Sequence, residues 1–300
     1  MSVTGPKVRV LFCEGNSESY DSAILNRLLE GKPPGTLIVP VGGKYGLRSF
    51  MLGWSKGQQL KSSVVGGPPS PDELSKQHLA FRDRDFDAEP PDDVRLITDP
   101  SQRPDKPMIF FSHRAAIENY LLDVQLIDQY WKESRQNGPA WKHGDSPGPQ
   151  AIIDWRDESA RDIASYSAVR WALSSLKPAA RWPELNTTWT DGSGQLPTSL
   201  LRDDCWKSAC ELVQTFRKSV ENISEERLRE SFDSFDARFA MPRFITDQQY
   251  LIWFHGKDLL KAMQKRKPNG FSLGKSYIPW ALSHLSWKSH PDLDQLATML

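Results

Sequence analysis

The sequence predicts an α/β fold with a mostly helical second region, and three observations predict it. Between Lys7 and Phe111, short apolar runs ending in glycine or an acid alternate with segments whose apolar residues recur at helical spacing. That alternation is the pattern of a Rossmann-like parallel sheet wrapped by helices. Beyond Trp131 the apolar residues return at helical spacing, and most of the eleven tryptophans lie there, as in an aromatic-rich second core or contact surface. Finally, 300 residues suffice for a sizeable core in one elaborated domain or two. The expected organisation is a core over 1–130, a helical insertion or second region over 131–245, and a segment over 246–300 that returns to the core.

Lys7 to Phe12 reads as a strand with Val8, Val10 and Phe12 on one side, ended by Cys13-Glu14-Gly15. Tyr20, Ile24, Leu25 and Leu28 follow at helical spacing, and the stretch from Gly31 to Gly35, with Pro33 and Pro34, closes that helix. Thr36 to Val41 is a second strand, ended by Gly42-Gly43-Lys44 before a helical pattern carrying Leu47, Phe50, Met51 and Trp54. Gln58 to Asp72 is a Gly/Ser/Pro-rich loop. Leu79 to Phe81 ends a third strand, and patterns at Val94 to Thr98 and Met108 to Phe111 complete the sheet. From Ser112 a helix is expected to start, with Ile117, Tyr120 and Leu121 inward and Glu118 about one turn in. Trp131 to Gln150 reads as a polar loop. Helices are expected at Glu158 to Leu176, Asp204 to Val220, Glu225 to Phe239 and Asp258 to Lys265, with two short ones between Tyr277 and Leu300. No internal repeat is present.

The chemistry concentrates at the strand ends. His-Leu-Ala-Phe-Arg-Asp-Arg-Asp-Phe-Asp, from His78 to Asp87, places Asp83 and Asp85 two residues apart, which in extended backbone points both carboxylates to one side. Two like charges a few ångströms apart repel by roughly 4 kcal/mol at an effective dielectric near 20, so a fold that aligns them supplies a cation, of which Mg²⁺ is the oxygen-loving candidate. An exposed acidic turn is the other reading. In a parallel sheet the carboxyl ends of the strands form one edge, where ligands of doubly wound folds bind. Glu14, Gly42 and Gly43, Asp83 with Asp85, and Ser112 to Arg114 all fall there, and Glu18 is expected on the same helical face as Glu14.

Taken in that order, Glu-Gly with a second acid, Gly-Gly-Lys, Asp-Arg-Asp-Phe-Asp and His-Arg-x-x-Ile-Glu-Asn-Tyr-Leu-Leu, the motifs resemble the TOPRIM domain of topoisomerases, primases and certain nucleases. The wording is similar to TOPRIM nucleases of the OLD (overcoming lysogenization defect) type. More narrowly, it is similar to the stand-alone TOPRIM effectors encoded beside ABC-type ATPases in bacterial anti-phage systems such as PARIS. The resemblance covers roughly the first 125 residues. It implies that Glu14, Asp83 and Asp85 bind Mg²⁺ or Mn²⁺, that Glu118 adds a ligand, and that a late lysine, matched to Lys257 of Gly256-Lys257, assists phosphate chemistry beside Glu14. It also implies a toxic RNase acting on tRNA and restrained by an ABC-type ATPase partner. A DNA endonuclease and a catalytically silent subunit docked on the ATPase are the alternatives, and a homodimer is compatible with any of them. Arg84 and Arg114 flank the acids, either to hold substrate phosphate or as structural ion-pair partners. His113 is either a substrate contact or proton carrier, or the residue that fixes the turn before the helix.

Composition narrows the setting. Thirty-eight basic and thirty-eight acidic residues cancel, so any nucleic-acid surface is a local patch, with Lys261, Lys265, Arg266 and Lys267 as the candidate or simply as favourable charge at a helix end. Cys13, Cys205 and Cys210 form no close metal-ligand pair, and with no signal peptide they point to the reducing cytoplasm. No apolar run approaches the ~20 residues that cross a bilayer, so no membrane partner is expected. Gly270 to Ser276 imitates a phosphate-binding P-loop, but only three residues separate its glycines and a basic helix end precedes it, so ATP binding is not expected here. Topoisomerase chemistry finds no marked tyrosine among Tyr20, Tyr45 and Tyr120, and primase activity finds little room for template-binding modules.

Overall fold

The computed structural model describes residues 9–30, 35–43, 78–99, 108–136, 143–180, 201–221 and 223–300, with Leu47, Phe50, Met51, Gly53 and Ser199 in between. Lys44, Trp54, the loop from Gln58 to Asp72 and the first two residues of the expected first strand lie outside these residues. The chain divides into two compact units, one of residues 1–163 with 243–300 and one of 164–242.

The first unit is α/β. Strands β1 (Arg9–Cys13), β2 (Thr36–Pro40), β3 (His78–Arg82), β4 (Ile97–Thr98) and β5 (Met108–Phe111) form a sheet in the order β2-β1-β3-β5-β4. The first four strands of that order run parallel, in the register Cys13↔Pro40, Cys13↔Phe81 and Phe81↔Phe110, so their carboxyl ends align on one edge. The last, β4, is antiparallel to β5. The few residues between Thr98 and Met108 are too short a link for a crossover helix and long enough for a reversal. Alternation puts Val10, Phe12, Ala80, Ile109 and Phe111 on one face, buried with Leu47 and Met51, whose positions are helical as expected. Each of these side chains other than Ala80 contributes about 1.5–3 kcal/mol by leaving water.

Helix α1 (Tyr20–Leu28) buries Ile24, Leu25 and Leu28 and is capped by Ser19, whose Oγ accepts the Ser22 N–H at 3.2 Å. Glu18 therefore lies in the turn before the helix, exposed, and does not share a helical face with Glu14. Past β5 the chain makes a bend rather than a helix start, and α2 (Glu118–Leu121) opens at Glu118 itself. Helix α3 (Val124–Gln136) runs into the start of the expected loop, over 131–136, because Val124, Ile127 and Trp131 form a buried stripe that its polar outer face disguises.

Helix α4 (Pro149–Asp162) packs on α3 and on the later α10 (Gly256–Arg266). Trp155 Nε1 donates to Met263 O at 3.1 Å, and buried Arg156 donates to Leu122 O and Gln248 Oε1, both at 2.7 Å, and to Tyr250 Oη at 2.9 Å. These ties place residues 131–163 with the sheet, so the expected boundary at 131 moves to 163/164. Trp131 stacks on Phe271 with centroids 3.8 Å apart, which fills the imitation P-loop segment with core contacts and leaves it following a helix.

In the second unit, α5 (Ala164–Ala180) packs on α7 (Glu225–Phe239) through a Trp171–Phe235 stack at 5.5 Å. Between them in sequence lies α6 (Arg202–Glu221). The first unit resumes with the short helices α8 (Pro242–Thr246) and α9 (Tyr250–Trp253), then α10, α11 (Tyr277–His284) and α12 (Pro291–Met299). The last helix is laced to the sheet region: Asp292 accepts the His113 N–H at 2.9 Å and the Tyr120 hydroxyl, and Arg9 donates to Met299 O at 2.7 Å. No described helix is long and apolar enough to cross a membrane.

Candidate active site

The aligned strand ends are stitched together by their own backbone. Gly15 N donates to Gly42 O at 2.6 Å and Gly42 N to Gly15 O at 2.9 Å, joining the turns after β1 and β2. Both glycines have φ of +82°, and a Cβ on Gly15 would stand 2.4 Å from Ser19 Cβ, so only glycine serves there. The turns after β3 and β5 are joined likewise: Asp85 N donates to Ala115 O at 2.7 Å, and Arg84 N to Ser112 Oγ at 3.2 Å.

Onto this edge the chain places a group of carboxylates. Buried Asp83 accepts the Ile117 N–H at 2.9 Å. Its carboxyl is pushed well above the usual range, first by burial and then by the charges of Asp21, Glu118 and Asp85. Asp85 does not continue the strand; it takes a left-handed backbone with φ of +52°, which Asp tolerates better than most residues, so its placement comes from a turn rather than strand alternation. Glu118, 3% exposed, has Oε2 buried without a hydrogen-bond partner among the described residues, while Oε1 lies 3.6 Å from Lys257 Nζ. Glu14 sits half-buried at the end of β1, where its charge and that of Asp21 add to burial in pushing the Cys13 thiol up to about 12.

Asp21 is the acid that sequence reasoning missed. It stands in the first turn of α1, half-buried, with its carboxyl raised to about 6 by burial and then Glu118, and with Oδ1 buried and unpartnered among the described residues. The signal was available: Ser19 is a good N-cap, and a helix that follows a parallel strand begins on the strand's carboxyl edge, so an acid in its first turn arrives there.

Lys257 reaches this group despite its distance in sequence. Gly256 lets α10 approach α2 so closely that a Cβ would meet Asn119 N at 2.6 Å and Glu118 Cβ at 2.8 Å. Asn119 secures the approach, with Nδ2 donating to Phe254 O at 3.0 Å. Partial burial alone would lower the Lys257 ammonium, but Glu118, Asp83, Asp21 and Asp85 outweigh it and hold its proton more tightly than usual.

The three expected substrate contacts are placed differently. Arg84 is fully buried and donates to His113 O at 3.2 Å and to Ala88 O and Ile252 O, both at 2.6 Å; burial lowers it to about 10. Its guanidinium ties three loops and offers no face to a substrate. His113 is 2% exposed, burial lowers its ring to about 4, and neither ring nitrogen finds a hydrogen-bond partner among the described residues. Its backbone, through Asp292, does the turn-fixing. Arg114 is half-buried, donates to Asn119 O at 2.6 Å and lies over the Tyr120 ring at 5.0 Å, a structural position. Of the basic cluster, Arg266 is engaged by Asp162 and Glu158.

An all-carboxylate donor set with buried, unpartnered oxygens on Glu118 and Asp21 suits a hard cation such as Mg²⁺ in its chemistry. In geometry, no three His, Cys, Asp or Glu side chains among the described residues converge closely enough to hold a metal ion. The fold and site thus define a class, an α/β protein whose mostly parallel sheet carries a carboxylate-rich edge faced by one lysine. No protein-family model matches the chain, and no curated protein matches it.

Proposed function

We propose that the chain is a metal-dependent nuclease that hydrolyses phosphodiester bonds of nucleic acid. The observation that carries this reading is the gathering of Asp21, Asp83, Asp85 and Glu118 around the Lys257 ammonium, on an edge where Glu14 also ends its strand. No three of these side chains converge as they stand, so holding Mg²⁺ or Mn²⁺ would require carboxylates among Asp83, Asp85, Glu118, Glu14 and Asp21 to draw together; the ion would then supply charge neutralisation and an acidified water. Lys257, kept protonated by its acidic neighbours, presents a donor to a phosphate oxygen and stabilises the charge that develops there. The buried floor of Asp83, Ile117 and Glu118 keeps bulk water from one side of the reacting group, which strengthens that interaction.

The resemblance of the motifs extends the proposal to a cytoplasmic effector of bacterial anti-phage defence, a toxic RNase acting on tRNA and held in check by an ABC-type ATPase. The test is cleavage of purified tRNA, other RNA and plasmid DNA with Mg²⁺ or Mn²⁺, comparing wild type with Glu14→Ala, Asp83→Ala and Lys257→Ala. Metal-dependent cutting that the substitutions abolish supports the reading, and the polymer cut separates the RNA enzyme from an OLD-like DNA endonuclease. A second reading, a catalytically silent subunit that docks on the ATPase, is favoured by the absence of three converging ligands among the described residues. It gains if folded wild-type protein cuts nothing and is harmless on expression.

A further inference from the structure

His255 carries no motif, yet it stands between the two halves of the site. It is buried and caps α10, and its Nδ1 accepts the Lys257 backbone N–H at 3.3 Å. Ser, Asp or Asn would cap a helix as well. An imidazole in that place does something they do not, because a neutral ring that accepts at one nitrogen carries its proton on the other. The other nitrogen, Nε2, lies 3.2 Å from Asp85 Oδ1. Phe86 lies almost parallel to the ring, with centroids 6.1 Å apart and planes at 23°, which limits its rotation.

One side chain therefore fixes the first turn of the helix that carries Lys257 and, through its far nitrogen, the carboxylate of Asp85. The Asp85 backbone is left-handed and its N–H is tied to Ala115, and the His255 ring adds a contact that helps to orient the carboxylate. The geometry points to His255 as a positioning residue, an Nε2–H imidazole that sets the Asp85 carboxylate and the Lys257 helix in fixed relation to each other. The catalytic consequence rests on the nuclease reading; the tautomer and the bridge rest on the Lys257 N–H hydrogen bond to Nδ1 and the 3.2 Å approach of Nε2 to Asp85 Oδ1. Outer-shell partners that orient ligands in this way are typically worth about 10–100-fold in metal affinity or activity.

Asparagine and glutamine each reproduce half of the imidazole. His255→Asn keeps a short side-chain acceptor for the helix cap and gives up the reach to Asp85. His255→Gln keeps a donor at about the reach of Nε2 and gives up the cap. In the full chain, His255→Asn is expected to melt close to wild type, yet to bind Mn²⁺ in calorimetry about 10–100-fold more weakly and to lose a similar factor in kcat with KM little changed. His255→Gln is expected to melt a few degrees below wild type and to keep both Mn²⁺ affinity and kcat. In the ¹⁵N spectrum of metal-free wild type, the His255 ring is expected to carry its proton on Nε2. A ring protonated on Nδ1 alone overturns the proposal, as does a His255→Asn protein with wild-type Mn²⁺ affinity. A wild-type chain that cuts nothing refutes the nuclease reading instead, and the ring spectrum and Mn²⁺ calorimetry still decide the role of His255.

Discussion

Gly256→Ala should separate the two helices that meet at the site. The new Cβ would stand 2.6 Å from the Asn119 backbone nitrogen, where ordinary contact begins at 3.4 Å, so α10 or α2 must retreat by about 0.8 Å. Asn119 Oδ1 and Glu118 Cβ, both at 2.8 Å, close the other escape routes. Overpacking of this kind costs about 1–3 kcal/mol, which for a unit of this size lowers the melting temperature by on the order of 5 °C. The displacement falls on the pair Lys257–Glu118, and a shift approaching 1 Å is expected to cost about 10²-fold in turnover. The assay is urea and thermal unfolding by circular dichroism, with cleavage measured on the same preparations. Gly43→Ala is the control for stability, since its Cβ would meet nothing within 4 Å, and it should stay within about 0.5 kcal/mol of wild type. A Gly256→Ala protein as stable and as active as wild type would refute the close-approach argument.

Other expectations concern charge. The Asp21 carboxyl moves from 3.8 in an unstructured chain to about 6 here, so between those pH values the folded protein binds more protons than the unfolded chain. Its contribution is favourable below about pH 4 and is lost as pH rises through 6, by about 3 kcal/mol, and Asp83 acts in the same direction. Asp21→Asn should therefore flatten the stability difference between pH 4 and pH 7.5 in metal-free urea titrations; an unchanged slope would count against the buried acid pair. Mg²⁺ at a hundred times its dissociation constant should stabilise wild type by about 2.7 kcal/mol and leave Asp83→Asn nearly unmoved in thermal melts. Arg84→Ala should cost about 3–5 kcal/mol, since each of the three carbonyls left without this donor costs about 1–3 kcal/mol, with Lys unable to span them. An Arg84→Ala protein of normal stability that has lost cleavage would restore Arg84 to the substrate.

The strands, their order along the chain and the gathering of their ends on one edge were legible because apolar runs and glycine turns are local signals. Asp83 and Glu118 were legible for the same reason, being tied to strand or helix ends, whereas Asp85 is set by a left-handed turn that strand alternation does not foresee. What escaped was set by tertiary placement. Asp21 and Glu18 are both acids near one helix start, and only the cap at Ser19 decides which of them faces the edge. Arg84 and His113 look like surface groups in a polar motif, yet they are buried because loops and α12 close over them, which no local pattern records. Gly256-Lys257 carries little information by itself, and its meaning appears only where the glycine meets Asn119.

The order of these pieces along the chain has a consequence for synthesis. Glu14, Asp21, Asp83, Asp85 and Glu118 leave the ribosome early, whereas His255, Lys257 and the Asp292 that props the turn after β5 emerge only after the whole 164–242 unit. At ~5–20 residues per second, that interval lasts on the order of ten seconds. Throughout it the nascent chain holds its acids without the lysine, the ring that aligns it or the helix that braces them. Under the nuclease reading, the nascent chain would stand beside RNA in an incomplete state and would become competent only once the stretch from His255 to Asp292 has emerged.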